Sequence, residues 1–136
     1  MALMKLDFTD LLKAVILGVQ TSTGKRCYDA VPKDAPSPFY FAEIIKVKPD
    51  NNKSGYVDMF TVYIHCIASP NTSSIGVHTL IKGLEEALST NIVLPEPYGV
   101  LLQTSLGLIR LKSDETGEKH AILGYDFSII YGFIKK

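Results

Sequence analysis

The spacing of apolar side chains near the start of the chain predicts an amphipathic helix. Asp7 or Thr9 can cap its first turn, and the polar run Thr21–Gly24 predicts its end. A helix this short is not stable alone, so its apolar face must pack on another element. That face has the i, i+3, i+4, i+7 spacing of a single helical stripe and consists of Phe8, Leu11, Leu12, Val15, Ile16 and Val19.

A short strand, Arg26–Tyr28, is predicted next, followed by a loop that contains Pro32, Pro36 and Pro38. Proline cannot sit inside a helix and restricts the residue before it to extended backbone. The loop is therefore predicted to be extended and ordered.

Four longer strands are predicted as two hairpins. The first joins Phe39–Lys48 to Tyr56–Ala68 through a polar turn, and the second joins Val100–Lys112 to Lys119–Phe133. The last strand alternates clearly, which predicts one core-facing stripe: Ala121, Leu123, Tyr125, Phe127, Ile129, Tyr131 and Phe133.

The strand Tyr56–Ala68 is apolar on both faces, which is unusual for a strand with one solvated side. One face carries Phe60, Val62, Ile64, Cys66 and Ala68, and the other carries Val57, Met59, Thr61, Tyr63, His65 and Ile67. The strand either lies between two layers, or its second face meets another subunit.

A second helix follows the polar segment Ser69–Ser73, and Asn71 to Ser74 offer several N-caps. Its apolar stripe is Val77, Leu80, Ile81, Leu84 and Leu88. The order of elements predicts a single α+β domain over residues 1–136, with two helices packed on one face of a mainly antiparallel sheet built from two hairpins.

Charge and composition narrow the function. Fourteen basic residues balance fourteen acidic ones and 46% of the chain is hydrophobic, which excludes a disordered chain and argues against a strongly basic nucleic-acid binder. We therefore expect no sequence-specific nucleic-acid partner. Without a signal peptide or an apolar run of about 20 residues, we also expect synthesis in a cytoplasm and no membrane partner. Zero net charge permits self-association.

Candidate chemistry is sparse. Cys27 and Cys66 form no Cys-x-x-Cys motif and are predicted to be buried thiols. His65 and Cys66 are neighbours in a strand, so their side chains point to opposite faces. Glu85 and Glu86 diverge by about 100° on a helix. We predict no catalytic, cofactor-binding or metal-binding residue and no enzyme activity.

Two segments have distinctive patterns. The first is Tyr-Asp-x-Val-Pro-x-x-Ala-x-x-Pro-aromatic, at Tyr28, Asp29, Val31, Pro32, Ala35, Pro38 and Phe39. The second is Asp-x-x-Gly-x-x-His-x-x-Leu, at Asp114, Gly117, His120 and Leu123. Together they resemble the tail completion, or tail terminator, proteins of tailed phages and prophages, which are also called head–tail joining proteins. The likeness covers roughly residues 6–131 in order.

The resemblance implies a structural role without catalysis or cofactors. Such proteins are thought to form a ring, commonly a hexamer, at the head-proximal end of the tail tube. The implied partners are other copies of the chain, the major tail tube protein and the head connector. The implied location is the tail or neck of the virion, reached after assembly in the host cytoplasm.

Two groups of residues are candidates for the interface. The tip of the first hairpin, Asn51, Asn52 and Lys53, is predicted to be exposed and uncommitted. The second group is the outward set Met59, Thr61, Tyr63 and His65, for which burial within the monomer is the alternative. Two other functions stay open at this point: a protein-interaction module of phage origin without a tail-terminating role, and an enzyme that uses Cys66, His65 and the clustered carboxylates.

Overall fold

The computed structural model describes residues 4–70, 73–113 and 117–133. Helix α1 is Phe8–Thr23. It begins after Asp7, whose Oδ1 accepts a hydrogen bond from the Thr9 N–H at 2.8 Å, and it ends at Gly24, whose left-handed φ of 71° suits glycine. Of the two predicted caps, Asp7 is therefore the one used.

Helix α2 is Ile75–Ala87. The Ser73 hydroxyl oxygen accepts a hydrogen bond from the Ile75 N–H at 3.2 Å. Among the predicted caps, Asn71 and Thr72 lie outside the described residues. Four members of the predicted stripe, Val77, Leu80, Leu84 and Leu88, are buried, and Ile81 is half-buried. Ala87 is also buried, which the predicted stripe did not include.

Within the described residues, five strands form one sheet in the order β1-β2-β3-β5-β4. They are β1 (Cys27–Tyr28), β2 (Phe39–Pro49), β3 (Gly55–Ile67), β4 (Gly99–Ser113) and β5 (Lys119–Phe133). The pairs β2–β3, β3–β5 and β4–β5 are antiparallel, whereas β1 is parallel to β2. The α+β class is confirmed, but the sheet is mixed. The loop at residues 29–38 carries the chain back to the start of the neighbouring strand, as a parallel pair requires.

The core lies between both helices and one face of the sheet. Helix α1 packs on β1, β2 and α2, while α2 packs on β3 and β5. The face of β3 that carries Phe60, Val62, Ile64 and Cys66 is fully buried, as the alternation predicts. Phe133 is 76% exposed, contrary to its place in the predicted core stripe, because it pairs with Gly55 where the sheet ends.

The opposite face of β3 is covered by no helix or second sheet within the described residues. We call this surface, on the side of the sheet away from the helices, the outer face. Of the two alternatives for β3, a position between two layers is therefore wrong for the monomer. Neither described helix is long and apolar enough to cross a bilayer.

A buried hydrogen bond links the sheet to α2. The Tyr40 hydroxyl donates to the Leu80 carbonyl oxygen at 2.7 Å, and Tyr40 is 1% exposed. We expect Tyr40→Phe to lower the free energy of unfolding by about 1 kcal/mol, because the bond is lost without a large change in packing. Urea denaturation measures this.

The matched control is Tyr98→Phe. In the parent protein the Tyr98 hydroxyl donates at the surface to the Met4 carbonyl oxygen at 2.9 Å. We expect a smaller loss there, since water can replace an exposed bond. An equal loss in both variants would contradict the role given to the Tyr40 bond.

Candidate assembly surface

The outermost long strand, β4, is exposed along most of its length. From Ser105 to Ser113 each residue is exposed except the half-buried Gly107. The helices reach β1, β2, β3 and β5. Only the start of β4 is covered within the described residues, since Val100 packs against the core and Gln103 Nε2 donates to the Leu88 carbonyl oxygen at 2.8 Å. Exposed apolar patches mark interaction sites. Six large apolar residues of β4 are between 43% and 61% exposed: Leu101, Leu102, Leu106, Leu108, Ile109 and Leu111.

Three irregularities interrupt the pairing of β4 with β5. The register steps from Val100 to Leu102, from Ser105 to Gly107 and from Leu108 to Arg110, while β5 advances by one residue each time. Bulges twist an edge strand and make it a poor template for pairing with another strand. This edge is therefore better suited to contacts through side chains. The residues left over at the three steps are all exposed and apolar: Leu101, Leu106 and Ile109.

Two of these bulge residues lie on the outer face. A side chain at Gly124 of β5 would meet Ile109 Cδ1 at 3.2 Å and Leu106 Cβ at 3.3 Å. Arg110 and Lys112 lie on the same face, because they pair with outward residues of β5. We call Leu106, Ile109, Arg110 and Lys112 the outer β4 patch.

A groove lies on the helical side, between α1 and the segment that follows α2. Its volume is about 420 Å³. Leu17 and Val93 line it and are 64% and 85% exposed, and the exposed carboxylate Glu86 lines it as well. We call this the helix groove. Its other lining residues are the small or aliphatic Ala14, Gly18, Ala87, Leu88 and Ile92 and the polar Thr21, Ser22, Thr90 and Asn91.

Neither surface was found by sequence reasoning. The run Val100–Lys112 predicted a strand but not its exposure, because the sequence does not show which strand is outermost. One signal was available: the apolar residues at 100–102 and 108–109 are consecutive, so they do not alternate as a half-buried strand would. The groove depends on how α1 meets residues 86–93, which no local pattern predicts.

The predicted outward residues of β3 do share the outer face. Met59, Tyr63 and His65 are half-buried there. Thr61 is only 6% exposed, and its hydroxyl donates to Asp126 Oδ1 at 2.6 Å. Three of the four are thus accessible to a partner in part, and Thr61 is occupied within the sheet.

His65 joins three strands on this face. Its Nδ1 lies 2.7 Å from His120 Nε2, and its Nε2 lies 3.3 Å from Glu43 Oε1. The ring of Phe41 lies 5.0 Å away, centroid to centroid. Cys66 faces the core, so the predicted separation of His65 and Cys66 is confirmed. In the described residues, no three His, Cys, Asp or Glu side chains are grouped so as to hold a metal ion.

The tip of the first hairpin is exposed, but its asparagines are engaged. Asn51 Oδ1 accepts from the Val57 N–H at 2.9 Å, and Asn52 Oδ1 accepts from the Ser54 and Gly55 N–H groups at 2.8 Å. These bonds shape the turn. Lys53 is exposed. An interface role for the tip stays a prediction.

The two segments that carry the family resemblance, residues 28–39 and 114–123, mainly have structural roles where the structure describes them. The rings of Tyr28 and Phe39 meet edge to face at 5.5 Å and bring the two ends of the proline loop together. Within the loop the Ala35 N–H donates to the Pro32 carbonyl oxygen at 3.1 Å, and Asp29, Val31 and Pro38 are exposed.

The structure describes three of the four motif residues of the second segment. Gly117 has a φ of 86°, which favours glycine, Leu123 is 1% exposed in the core, and His120 lies on the outer face. Asp114 lies outside the described residues.

Both cysteines are buried and free. Burial, with a smaller contribution from Asp29, raises the pKa of the Cys27 thiol from 9.0 to about 12. Burial, followed by Cys27 and Glu85, raises the pKa of Cys66 to about 12 as well. Neither thiol is suited to nucleophilic or ligand chemistry at neutral pH, since both need the thiolate.

Comparison with known proteins finds a family match along almost the whole chain and a similar solved structure. Residues 2–136 match the model of a family described as "Putative tail termination protein". No curated protein sequence matches the chain. Among solved structures, a chain from the virion of a native gene transfer agent (GTA) particle superposes with a TM-score of 0.73 at 16% identity, covering 90% of this chain and 96% of that one. This likeness shows a shared fold.

Alkaline pH is expected to destabilise the protein through its two buried thiols. The folded state keeps both protons up to about pH 12, whereas the unfolded chain releases them from about pH 9. The two protonated thiols therefore contribute to the free energy of unfolding in full below pH 9, and this contribution is lost as the pH rises towards 12. Denaturant titrations above and below pH 9 measure this loss.

Other groups also titrate in this range, so the matched comparison is with Cys66→Ala. We expect the variant to lose less stability than the parent over the same pH interval. An identical pH dependence of the two proteins would contradict the assignment.

Proposed function

This chain belongs to the family of phage tail termination proteins, and we propose that it forms a ring, commonly a hexamer in such proteins, that ends the tail tube and joins it to the head connector. Its role is structural, in a phage-type tail. The ring, the connector contact and the absence of catalysis are parts of the proposal.

The observation that carries the proposal is the exposed, apolar strand β4. A monomer that leaves six large apolar side chains of one strand between 43% and 61% exposed has surface to bury in an assembly. A closed ring with head-to-tail contacts needs two different patches on each subunit. The outer β4 patch and the helix groove are two such surfaces.

The open outer face offers a further surface for a tail or connector protein. Met59 and Tyr63 are half-buried in the monomer, so a partner that covers them would complete their burial. The subunit contacts assigned to the outer β4 patch and the helix groove leave the outer face over β2, β3 and β5, and the hairpin tip, for different neighbours. This supports an interface role for Met59, Tyr63 and His65 and for the exposed Lys53 of the hairpin tip. Thr61 would act by shaping the sheet through its bond to Asp126, and Asn51 and Asn52 by shaping the turn.

The described residues give little support to catalysis. The two thiols are protonated at neutral pH because burial raises both pKa values to about 12. His65 is held by His120 and Glu43 on the outer face of the sheet. The groove is lined mainly by aliphatic residues. These features fit a binding surface better than an active site.

Tail-tube capping tests the proposal directly. The chain is added to the major tail tube protein of the same genome during polymerisation, and the tubes are examined by electron microscopy. We expect shorter tubes with a ring at one tip, because a terminator stops growth at the end to which it binds. Capped tubes are expected to bind the head connector, and uncapped tubes are not.

Addition of the chain after polymerisation is the control, and tube length should then stay unchanged while tips still become occupied. Tubes of unchanged length with bare tips in both conditions would contradict the proposal. Binding along the sides of the tubes would favour the other interaction module of phage origin.

A further inference from the structure

We propose that neighbouring subunits join head to tail, with the outer β4 patch of one copy seated in the helix groove of the next. The inference rests on the proposed ring and assigns the two surfaces that build it. It makes Leu106 and Ile109 the apolar anchors and pairs Arg110 with the neighbour's acidic Glu86 region.

The two surfaces lie on opposite sides of the sheet, so one subunit can use both at once. Leu106 and Ile109 lie on the outer face, whereas the groove lies on the helical side, between α1 and residues 86–93. Gln103 of β4 connects the strand to the groove, since its Nε2 donates to the Leu88 carbonyl oxygen at 2.8 Å and to the Thr90 carbonyl oxygen at 3.0 Å. The contact between β4 and the groove wall holds the two surfaces in a fixed relation within one subunit.

The apolar parts of the two surfaces complement each other. Leu106 and Ile109 are 44% and 43% exposed and project from bulges on the outermost strand. The groove, with Leu17 and Val93 exposed along it, is a concave and largely aliphatic site of about 420 Å³. A few aliphatic side chains fill a space of this size, and their burial drives association.

Charge distinguishes the two surfaces although the whole chain is neutral. Residues 97–113 carry Arg110 and Lys112 and no acidic residue, whereas residues 83–96 carry Glu85, Glu86 and Glu96 and no basic residue. Glu86 lines the groove, and both basic residues belong to the outer β4 patch. Opposite charges on facing surfaces favour this pairing and orient it.

The same charges argue against contact between two β4 strands. Such a pair would bring the basic residues of both copies together, and the bulges interrupt the backbone row that strand pairing needs. The other edge strand, β1, has only two residues and offers little to extend the sheet. The occupant of the helix groove is therefore a second copy of the chain, presenting its β4.

Two variants, each defective on one surface, test the contact. The β4 variant carries Leu106→Asp and Ile109→Asp, and the groove variant carries Leu17→Asp and Val93→Asp. Ile75→Asp is the matched control, since Ile75 is 71% exposed at the start of α2, outside both surfaces. Circular dichroism and thermal melting establish that all three are folded. Native mass spectrometry is then recorded for each protein alone and bound to tail tubes.

We expect the control to assemble as the parent does and each defective variant to stay monomeric. A 1:1 mixture of the two variants should form a heterodimer that grows no further, because one intact patch meets one intact groove. This result separates a head-to-tail contact from a symmetric one, in which the mixture would form no heterodimer. Assembly of either variant at the parent level, or a mixture that stays monomeric, overturns the inference.

A charge exchange tests the electrostatic part without removing apolar surface. Arg110→Glu and Glu86→Arg should each weaken self-association by about tenfold, the effect of one well-placed interfacial charge pair. The two substitutions together in one chain should restore most of the parent affinity. If the double variant does not recover the parent affinity, Arg110 does not pair with the Glu86 region.

The tube-capping assay distinguishes failure of this inference from failure of the proposed function. A parent protein that caps tubes while the β4 and groove variants cap equally well overturns the surface assignment and leaves the function intact. Assembly that depends on both surfaces, with no capping of tubes, supports the surface assignment and overturns the function.

Discussion

The packing of two helices on one face of the sheet governs the rest of the described structure. The helices reach β1, β2, β3 and β5, which buries Phe60, Phe127 and their neighbours completely. Two helices packed about 10 Å apart cover a width of about 20 Å, which corresponds to about four strands. Most of β4 therefore lies beyond the helices, although Val100 and Gln103 at its start still contact the core and the segment after α2. The outer face is open because both helices pack on the other side of the sheet.

The incomplete coverage gives the protein two kinds of surface with different chemistry. The outer face over β2, β3 and β5 is tied together by polar contacts, of which the Thr61–Asp126 bond and the His65–His120 contact are the shortest. The edge at β4 is aliphatic and basic, and its bulges aim Leu106 and Ile109 away from regular pairing. A subunit of an assembly must meet unlike neighbours, and surfaces of unlike chemistry allow each contact to exclude the wrong partner.

Much of the fold could be predicted from the sequence because it rests on local periodicity. The helical spacing from Leu11 to Val19 and the alternation from Ala121 to Ile129 predicted the elements and their buried faces correctly. Phe8, at the start of the predicted helical face, is 55% exposed instead, because it lies in the first turn, although its ring still meets Phe60 edge to face at 5.5 Å. The parallel placement of β1 was missed, since two residues carry no signal of direction. The exposure of Phe133 was missed as well, because alternation shows which side a residue faces but not how far the covering layer extends.

The sequence by itself determined the class of fold, the buried thiols, the opposite placement of His65 and Cys66, and a resemblance to tail terminators that the match over residues 2–136 confirms. Only the tertiary structure decided that β4 is outermost and that α1 meets the segment after α2 in a groove. Strand order and the meeting of distant segments depend on contacts between residues far apart in the chain. Local pattern records none of these, so the candidate assembly surface emerged only once the elements were packed together.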